Sequence, residues 1–239
     1  MNYPNHPLPL AVKHLTYSKN KTILLDDINL AINGSNSTII LGHNGAGKSL
    51  LLKLLHGVIK PDSGSIDWHG EKPDSRQYWR SFLLQKPTFF KRSIRYNIEF
   101  VLEIASTPKN ERRSRCNEAL EICGLQDLAE RNAHSLSGGE QQKLSLARAW
   151  VLKPDVLLLD EPTVALDPPF TLSFEEIIQQ FKQTHTKVIM TTHDLAQAKR
   201  LAEEIVFIYE GKILEQSPAK QFFQQPGSEQ AKKFISGKL

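Results

Sequence analysis

Long apolar runs are missing from this sequence: none approaches the ~18 residues a helix needs to cross a bilayer, which excludes a helical membrane span. The opening residues, MNYPNHPLPL, are broken by proline and lack the apolar core of a signal peptide, so the chain is expected to stay in the cytoplasm. Cysteine is nearly absent. Cys116 and Cys123, with Ala119 and Leu120, form an i, i+3, i+4, i+7 stripe, which predicts buried core thiols rather than a disulfide or a metal pair. There is no internal repeat and no low-complexity tract. Neither sign of charge dominates: 30 Lys and Arg against 26 Asp and Glu give +4 and a pI near 9.0. That balance suits solubility, attraction of a nucleotide, or work beside an anionic membrane face, and does not by itself imply nucleic acid.

What remains is a chain of 239 residues, 40% of them hydrophobic, enough for a substantial core in one domain with room for two lobes. Its most informative stretch is GHNGAGKS, from Gly42 to Ser49. It follows the apolar, strand-like run Thr38-Ile39-Ile40-Leu41 and opens into LLLKLLHGVI, which has a helix's periodicity. That context makes it a phosphate-binding P-loop. Gly45 and Gly47 let the backbone curl so that successive N–H groups point inward as an anion nest. The helix beginning near Lys48 adds its positive dipole end. Lys48 reaches the β- and γ-phosphates and the Ser49 hydroxyl is placed to ligate Mg²⁺, with Gly42, Asn44, Ala46 and Leu50 completing the loop around ATP.

Ahead of the P-loop, residues 10–41 read as short strands and turns. Tyr17 is either a half-buried strand tyrosine, the plainer reading, or an aromatic placed to stack on a purine. Beyond the P-loop helix, Ser65 to Trp68 and Phe82 to Leu84 read as strands, the second ending at Gln85. From about 86 to 135 the pattern turns helical. Ser93 is expected to cap one helix and Asn110 a second, closed by Gly124. This is read as a helical lobe inserted into the α/β core, which occupies about 1–85 and 136–239. Phe89 and Phe90 at its entrance either pack inside the lobe or present an apolar anchor to a partner.

Ser137 to Glu140 spells an S-x-x-E capping box at the start of a helix. Gly138 and Gly139 in its first turn lower helix propensity and make sense if something must approach the bare backbone closely. Val156 to Leu159 is wholly apolar, as expected of a strand buried on both faces of a parallel sheet, and it delivers Asp160-Glu161 to the sheet's C-terminal edge. Asp160 is placed to hold Mg²⁺, directly or through water. Glu161 is placed to orient or deprotonate an attacking water. Lys187 to Thr191 brings Thr192-His193-Asp194 to the same edge; Asp194 caps the next helix, and His193 is a turn residue or a donor to the γ-phosphate.

The order of Tyr17, GHNGAGKS, Gln85, LSGGE, VLLLDEP, VALD and THD resembles the ATPase subunits of ABC transporters across nearly the whole chain. The resemblance implies a P-loop NTPase of α/β class: a RecA-like parallel sheet core, an N-terminal antiparallel β region and an inserted helical lobe. It implies that Tyr17 stacks on adenine and that Gln85 touches Mg²⁺ or water. It also implies that Leu136 to Glu140, with Ser137, Gly138 and Gly139, bind the γ-phosphate held by a second copy. Asp167 would lie at the subunit boundary, and His193 would be the switch histidine. Two positions depart from the family pattern: Glu140 stands where Gln is commoner, and Val164 where Ser is commoner. Glu140 is expected to sit on the helix, away from its bare N–H groups, and so to leave activity intact.

The implied partners are a second copy of the chain, integral-membrane permease subunits, and a periplasmic or extracellular solute-binding protein, with no direct nucleic acid. The implied place is the cytoplasmic face of the inner membrane. The segments THDLAQAKRLAEEIVFIYEGKILEQ and FFQQPGSEQAKKFISGKL are similar to ATPases of bacterial oxyanion importers, particularly the tungstate type, with phosphate and molybdate relatives near. The rival readings are an exporter or lipid-transport ATPase, a soluble ABC protein acting on nucleic acid, and a regulator without turnover. Against the soluble protein stand the short interval from Gln85 to Ser137 and the lack of a second P-loop; Glu161 argues against the regulator.

Overall fold

The computed structural model describes residues 8–34, 37–68, 78–164 and 166–238. The chain divides into two compact units, one of residues 1–75, 158–161 and 187–239, the other of 76–157 and 162–186.

The first unit carries two sheets. β1 (Leu10–Lys19) and β2 (Thr22–Ile32) form an antiparallel hairpin, and β4 (Ser63–Trp68) pairs with the other edge of β1, also antiparallel. Asn20 and Lys21 both have positive φ at the hairpin turn, the backbone that matches strand twist in a tight two-residue loop. Leu10, Leu15, Ile28 and Ile32 are fully buried, so this sheet supplies one apolar face to the core.

The second sheet runs β6 (Val156–Asp160), β7 (Lys187–Thr192), β3 (Ser37–Leu41), β8 (Glu204–Tyr209), β9 (Lys212–Pro218). β3 is parallel to β7 and β8, and β9 closes the edge antiparallel. Every residue of β3, β6 and β7 is buried, the mark of strands covered on both faces, whereas β9 alternates as a half-exposed edge does. α1 (Lys48–His56) follows β3 and buries Leu51, Leu52, Leu54 and Leu55. α6 (Leu195–Leu201) follows β7. At the end of the chain, α7 (Ala219–Gln224) and α8 (Glu229–Ile235) bring Phe222 and Phe234 to within 5.8 and 5.4 Å of the Phe207 ring. The expected α/β class, parallel core and N-terminal antiparallel region are all present.

The second unit contains β5 (Arg80–Leu83), α2 (Ile94–Ile104), α3 (Lys109–Ile122), α4 (Gly138–Trp150) and α5 (Pro168–Gln183), with the first residues of β6. Ser93 caps α2, its side chain accepting from the Tyr96 N–H. α3 is capped two residues before the expected Asn110: Pro108 stands at the cap, its fixed φ already suits a helix entry, and its carbonyl accepts from Glu111. Cys116 and Cys123 are free and buried, and burial pushes their thiols up to about 11 and about 12. Buried Asn97 accepts from the Phe90 N–H at 2.9 Å and donates to the Phe90 and Ser93 carbonyls, fixing the loop that enters α2. Phe90 is exposed yet packs edge-on against Phe100 at 4.6 Å, and the Arg148 guanidinium lies 5.7 Å from the Phe89 ring. Among the described residues no helix is long and apolar enough to cross a membrane.

Candidate functional site

The first unit gathers its polar groups where β3, β6 and β7 end. Gly42 follows β3 so closely against β8 that a Cβ would come within 2.3 Å of the Ile208 carbonyl oxygen. Gly47 has φ 106°, and a Cβ there would meet Leu25 of β2 at 2.7 Å, so this turn demands glycine on two counts. Gly45, at φ 83°, has open space in front of it. Ala46 is buried, and its carbonyl accepts from the Gly211 N–H while its own N–H donates to His43. Asn44 is exposed and Leu50 half-buried on α1.

Lys48 is nearly sealed, 4% exposed, and its ammonium uses all three donors. Nζ donates to the Gly42 carbonyl at 2.8 Å, to the His43 carbonyl at 3.0 Å, and to Glu161 Oε1 at 2.9 Å. Glu161 sits just past β6 with φ 42°, a left-handed backbone that a non-glycine residue holds only when its surroundings enforce it. Its second oxygen, Oε2, lies 3.2 Å from His193 Nδ1, so one carboxylate bridges the P-loop lysine and the β7 histidine. His193 is substantially exposed, and Asp194 caps α6 through the Ala196 and Gln197 N–H groups.

Asp160 is buried at the end of β6, and its Oδ1 accepts from the Ser49 hydroxyl at 2.6 Å and from the Thr191 hydroxyl at 2.9 Å. Thr191 Oγ1 in turn accepts from the Glu161 N–H at 3.0 Å. Thr191 went unnoticed in the sequence pattern. The available signal was a hydroxyl directly after the apolar run Val188-Ile189-Met190, on a strand that ends beside an Asp-Glu pair. Ser49 and Asp160 offer two hard oxygens in contact, a donor set that suits Mg²⁺, which takes one or two protein oxygens and completes its shell with phosphate and water. Among the described residues no group of three or more His, Cys, Asp and Glu side chains gathers in the manner of a self-sufficient metal cage.

Tyr17 is half-buried on β1, and its partner across the hairpin is Leu25, the residue against Gly47. Gln85, Leu136 to Glu140 and Asp167 belong to the second unit. Gln85 is exposed just past β5, and its carbonyl accepts from the buried Gln142 amide at 2.9 Å. Asp167 is exposed at the cap of α5, its carbonyl accepting from Thr171.

At the start of α4 the capping box is complete. Here one expectation fails. The Glu140 carboxylate does not stay away from the bare helix end: Oε2 folds back to accept from the Ser137 N–H and from the Ser137 hydroxyl, both at 2.8 Å. The cap requires this, because the third helical residue is the one whose side chain reaches the cap's own N–H. That backbone donation, aided by the Ser137 hydroxyl, holds the Glu140 carboxyl below the usual carboxylate range. The two glycines also differ. Gly138 is exposed with nothing near it, whereas Gly139 is buried under the ring of Phe170, where a Cβ would lie 2.4 Å from the ring.

Residues 25–164 match the ABC transporter family. Over 245 aligned positions the chain is 39% identical to a phosphate import ATP-binding protein, PstB, of Mycoplasmoides gallisepticum, covering 95% of this chain and 74% of that one. It is 34% identical to the tungstate uptake system ATP-binding protein TupC of Peptoclostridium acidaminophilum, covering 86% of this chain and 97% of the relative. Among solved structures, CbiO1 of Clostridium perfringens, described as part of the ABC transporter complex CbiONQ, superposes with a TM-score of 0.80 at 29% identity over 90% of each chain.

Proposed function

The chain belongs to the ABC transporter family and is one of its ATPases; from that premise we propose that it powers import of an oxyanion, with tungstate the first solute to test. The observation that carries the enzymatic part is the bridge Lys48–Glu161–His193 set beside Ser49–Asp160–Thr191.

Glu161 faces Lys48 and offsets its charge. A triphosphate entering the P-loop offers Lys48 stronger acceptors, so the ammonium turns to the phosphate and Glu161 is released toward a water. Mg²⁺, held through Ser49 and Asp160, would offset charge on the phosphate oxygens. The water attacks the γ-phosphorus, its proton passes to Glu161, and the bond to the β–γ bridging oxygen breaks to leave ADP and phosphate. His193, already on Glu161 Oε2, holds that carboxylate in place or donates to the departing phosphate. Thr191 fixes the backbone of Glu161 and the carboxylate of Asp160 in one contact set.

A P-loop covers one side of ATP and leaves the γ-phosphate open. We take Ser137 and the open Gly138 of a second copy to cover it, giving two composite sites in an isologous pair, with Asp167 at the boundary and Tyr17 against adenine. Gln85 would couple the nucleotide to the helical region. That region holds a cavity of about 410 Å³ whose walls include Tyr78, Leu84, Pro87, Val101, Ile104 and Arg148, with Leu84 and Ile104 exposed. This apolar hollow with a cationic edge supports docking of a permease segment, and hence a peripheral position on the cytoplasmic membrane face. A solute-binding protein would complete an importer.

Relatives named for phosphate and tungstate support an oxyanion, while others of comparable identity are named for Fe(3+) and amino acids. The deciding experiment is co-purification with the membrane subunits, followed by ATPase assays with tungstate, molybdate, phosphate and sulfate, and with Fe(3+) and amino acids as the rival solutes. Stimulation by tungstate above the others is the expected result; stimulation by a cation or an amino acid alone would overturn the solute reading.

A further inference from the structure

We propose that Phe170 is a positioning residue that locks the Asp167 turn to the start of α4, and that Gly139 is glycine to admit this ring. The proposal rests on the two-copy reading of the site and deepens it, since Asp167 and the start of α4 are the two segments of this unit assigned to the boundary.

Gly138 and Gly139 are adjacent in the first turn of α4, yet their surroundings are opposite. Nothing lies within 4 Å of a Cβ on Gly138, and the residue is exposed. A Cβ on Gly139 would lie 2.4, 2.7 and 3.0 Å from Cδ1, Cγ and Cε1 of Phe170. On its Cβ side, the close approach at Gly139 is therefore made by the chain itself, while its N–H still points out of the helix end. One turn further along α4, the Lys143 ammonium lies 5.5 Å from the centre of the same ring. Positions 139 and 143 share a helix face, so the ring is seated on bare backbone at one end and met by a cation at the other.

The ring reaches this seat from a stiff support. Pro168 and Pro169 open α5 with constrained backbone, and Asp167, the residue before them, accepts from both the N–H and the hydroxyl of Thr171. Asp167 is thus three residues from a side chain wedged on the helix that Ser137 caps. Moving the ring moves the turn relative to the helix end, and a second copy would then meet two segments out of register.

The test is a set of exchanges at 138, 139 and 170, read by ATPase kinetics. Gly139→Ala drives a methyl into the ring and is expected to lower kcat/KM about tenfold, as small misplacements near reacting groups do. Phe170→Leu, which vacates part of the seat, is expected to recover at least half of that loss in the double variant. Phe170→Ala alone should raise KM for ATP several-fold with kcat at saturation within about twofold, because the reacting groups of the P-loop unit are untouched. Gly138→Ala should also lose activity, without rescue by Phe170→Leu. A Gly139→Ala/Phe170→Leu protein no better than Gly139→Ala would overturn the proposal and assign Gly139 to phosphate approach, as would equal rescue of Gly138→Ala. Loss of kcat with unchanged KM in Phe170→Ala would also contradict it. Thermal midpoints without nucleotide accompany each variant: a folded double variant lacking rescue refutes the idea, and coupling between 139 and 170 in those midpoints supports the seat even where a single variant is unstable. Dimerisation of the Glu161→Gln protein is scored separately, so failure of the two-copy reading is distinguishable from failure of this one.

Discussion

Replacing Thr191 by valine keeps the shape of a fully buried side chain and deletes one hydroxyl. That hydroxyl donates to Asp160 at 2.9 Å and accepts from the Glu161 N–H at 3.0 Å. A hydrogen bond to a charged group contributes about 1.5–3 kcal/mol, and leaving a buried N–H unsatisfied costs about 1–3 kcal/mol. Asp160 keeps its bond from Ser49, so the two terms do not add fully, and a net loss of about 2–4 kcal/mol is expected. In a chain of this size each kcal/mol corresponds to about 2–4 °C, so the thermal midpoint should fall by about 5–15 °C. Turnover should fall as well, because the Glu161 N–H bond helps to hold a backbone at φ 42° that otherwise relaxes. Scanning calorimetry and steady-state phosphate release measure both quantities on one preparation. A Thr191→Val protein melting within about 1 °C of the parent with full activity would show that this contact does not organise the site.

Glu140→Gln removes a negative charge from the helix end that is proposed to meet phosphate, so nucleotide-driven self-association should strengthen, measured by sedimentation; unchanged or weaker association would refute the inference. The cap itself should suffer slightly. Because Ser137 holds the Glu140 carboxyl below its ordinary range, its contribution is complete above that range and is lost as pH falls through the lowered value; the stability gap between parent and Glu140→Gln should close at acid pH in urea titrations. Cys116 and Cys123, pushed up to about 11 and about 12, should not react with a thiol reagent at pH 8 until the protein unfolds; prompt labelling of the native protein would contradict their burial.

The features legible in the sequence are those written in neighbouring residues. The P-loop glycines, the Ser137 cap, the apolar β6 run ending in Asp160-Glu161, and the cap at Ser93 are all local patterns with one physical reading. Thr191 and Phe170 escaped because each acts across a gap in sequence: Thr191 on a pair 30 residues away, Phe170 on a glycine on another helix. Gly139 shows the limit well, since its composition signals close approach but not by what. Glu140 was misplaced for the opposite reason: the capping box that aims its carboxylate was visible, and its geometry already implied contact with the Ser137 N–H.

Glu161→Gln tests the central claim most directly. The variant loses the charge that faces Lys48 and the base that accepts the water's proton, while the P-loop remains intact. Light scattering with Mg-ATP should find particles of twice the 27.1 kDa of one chain, with ATP retained and unhydrolysed. Particles of one chain's mass at saturating ATP, or hydrolysis at the parent's rate, would contradict the account.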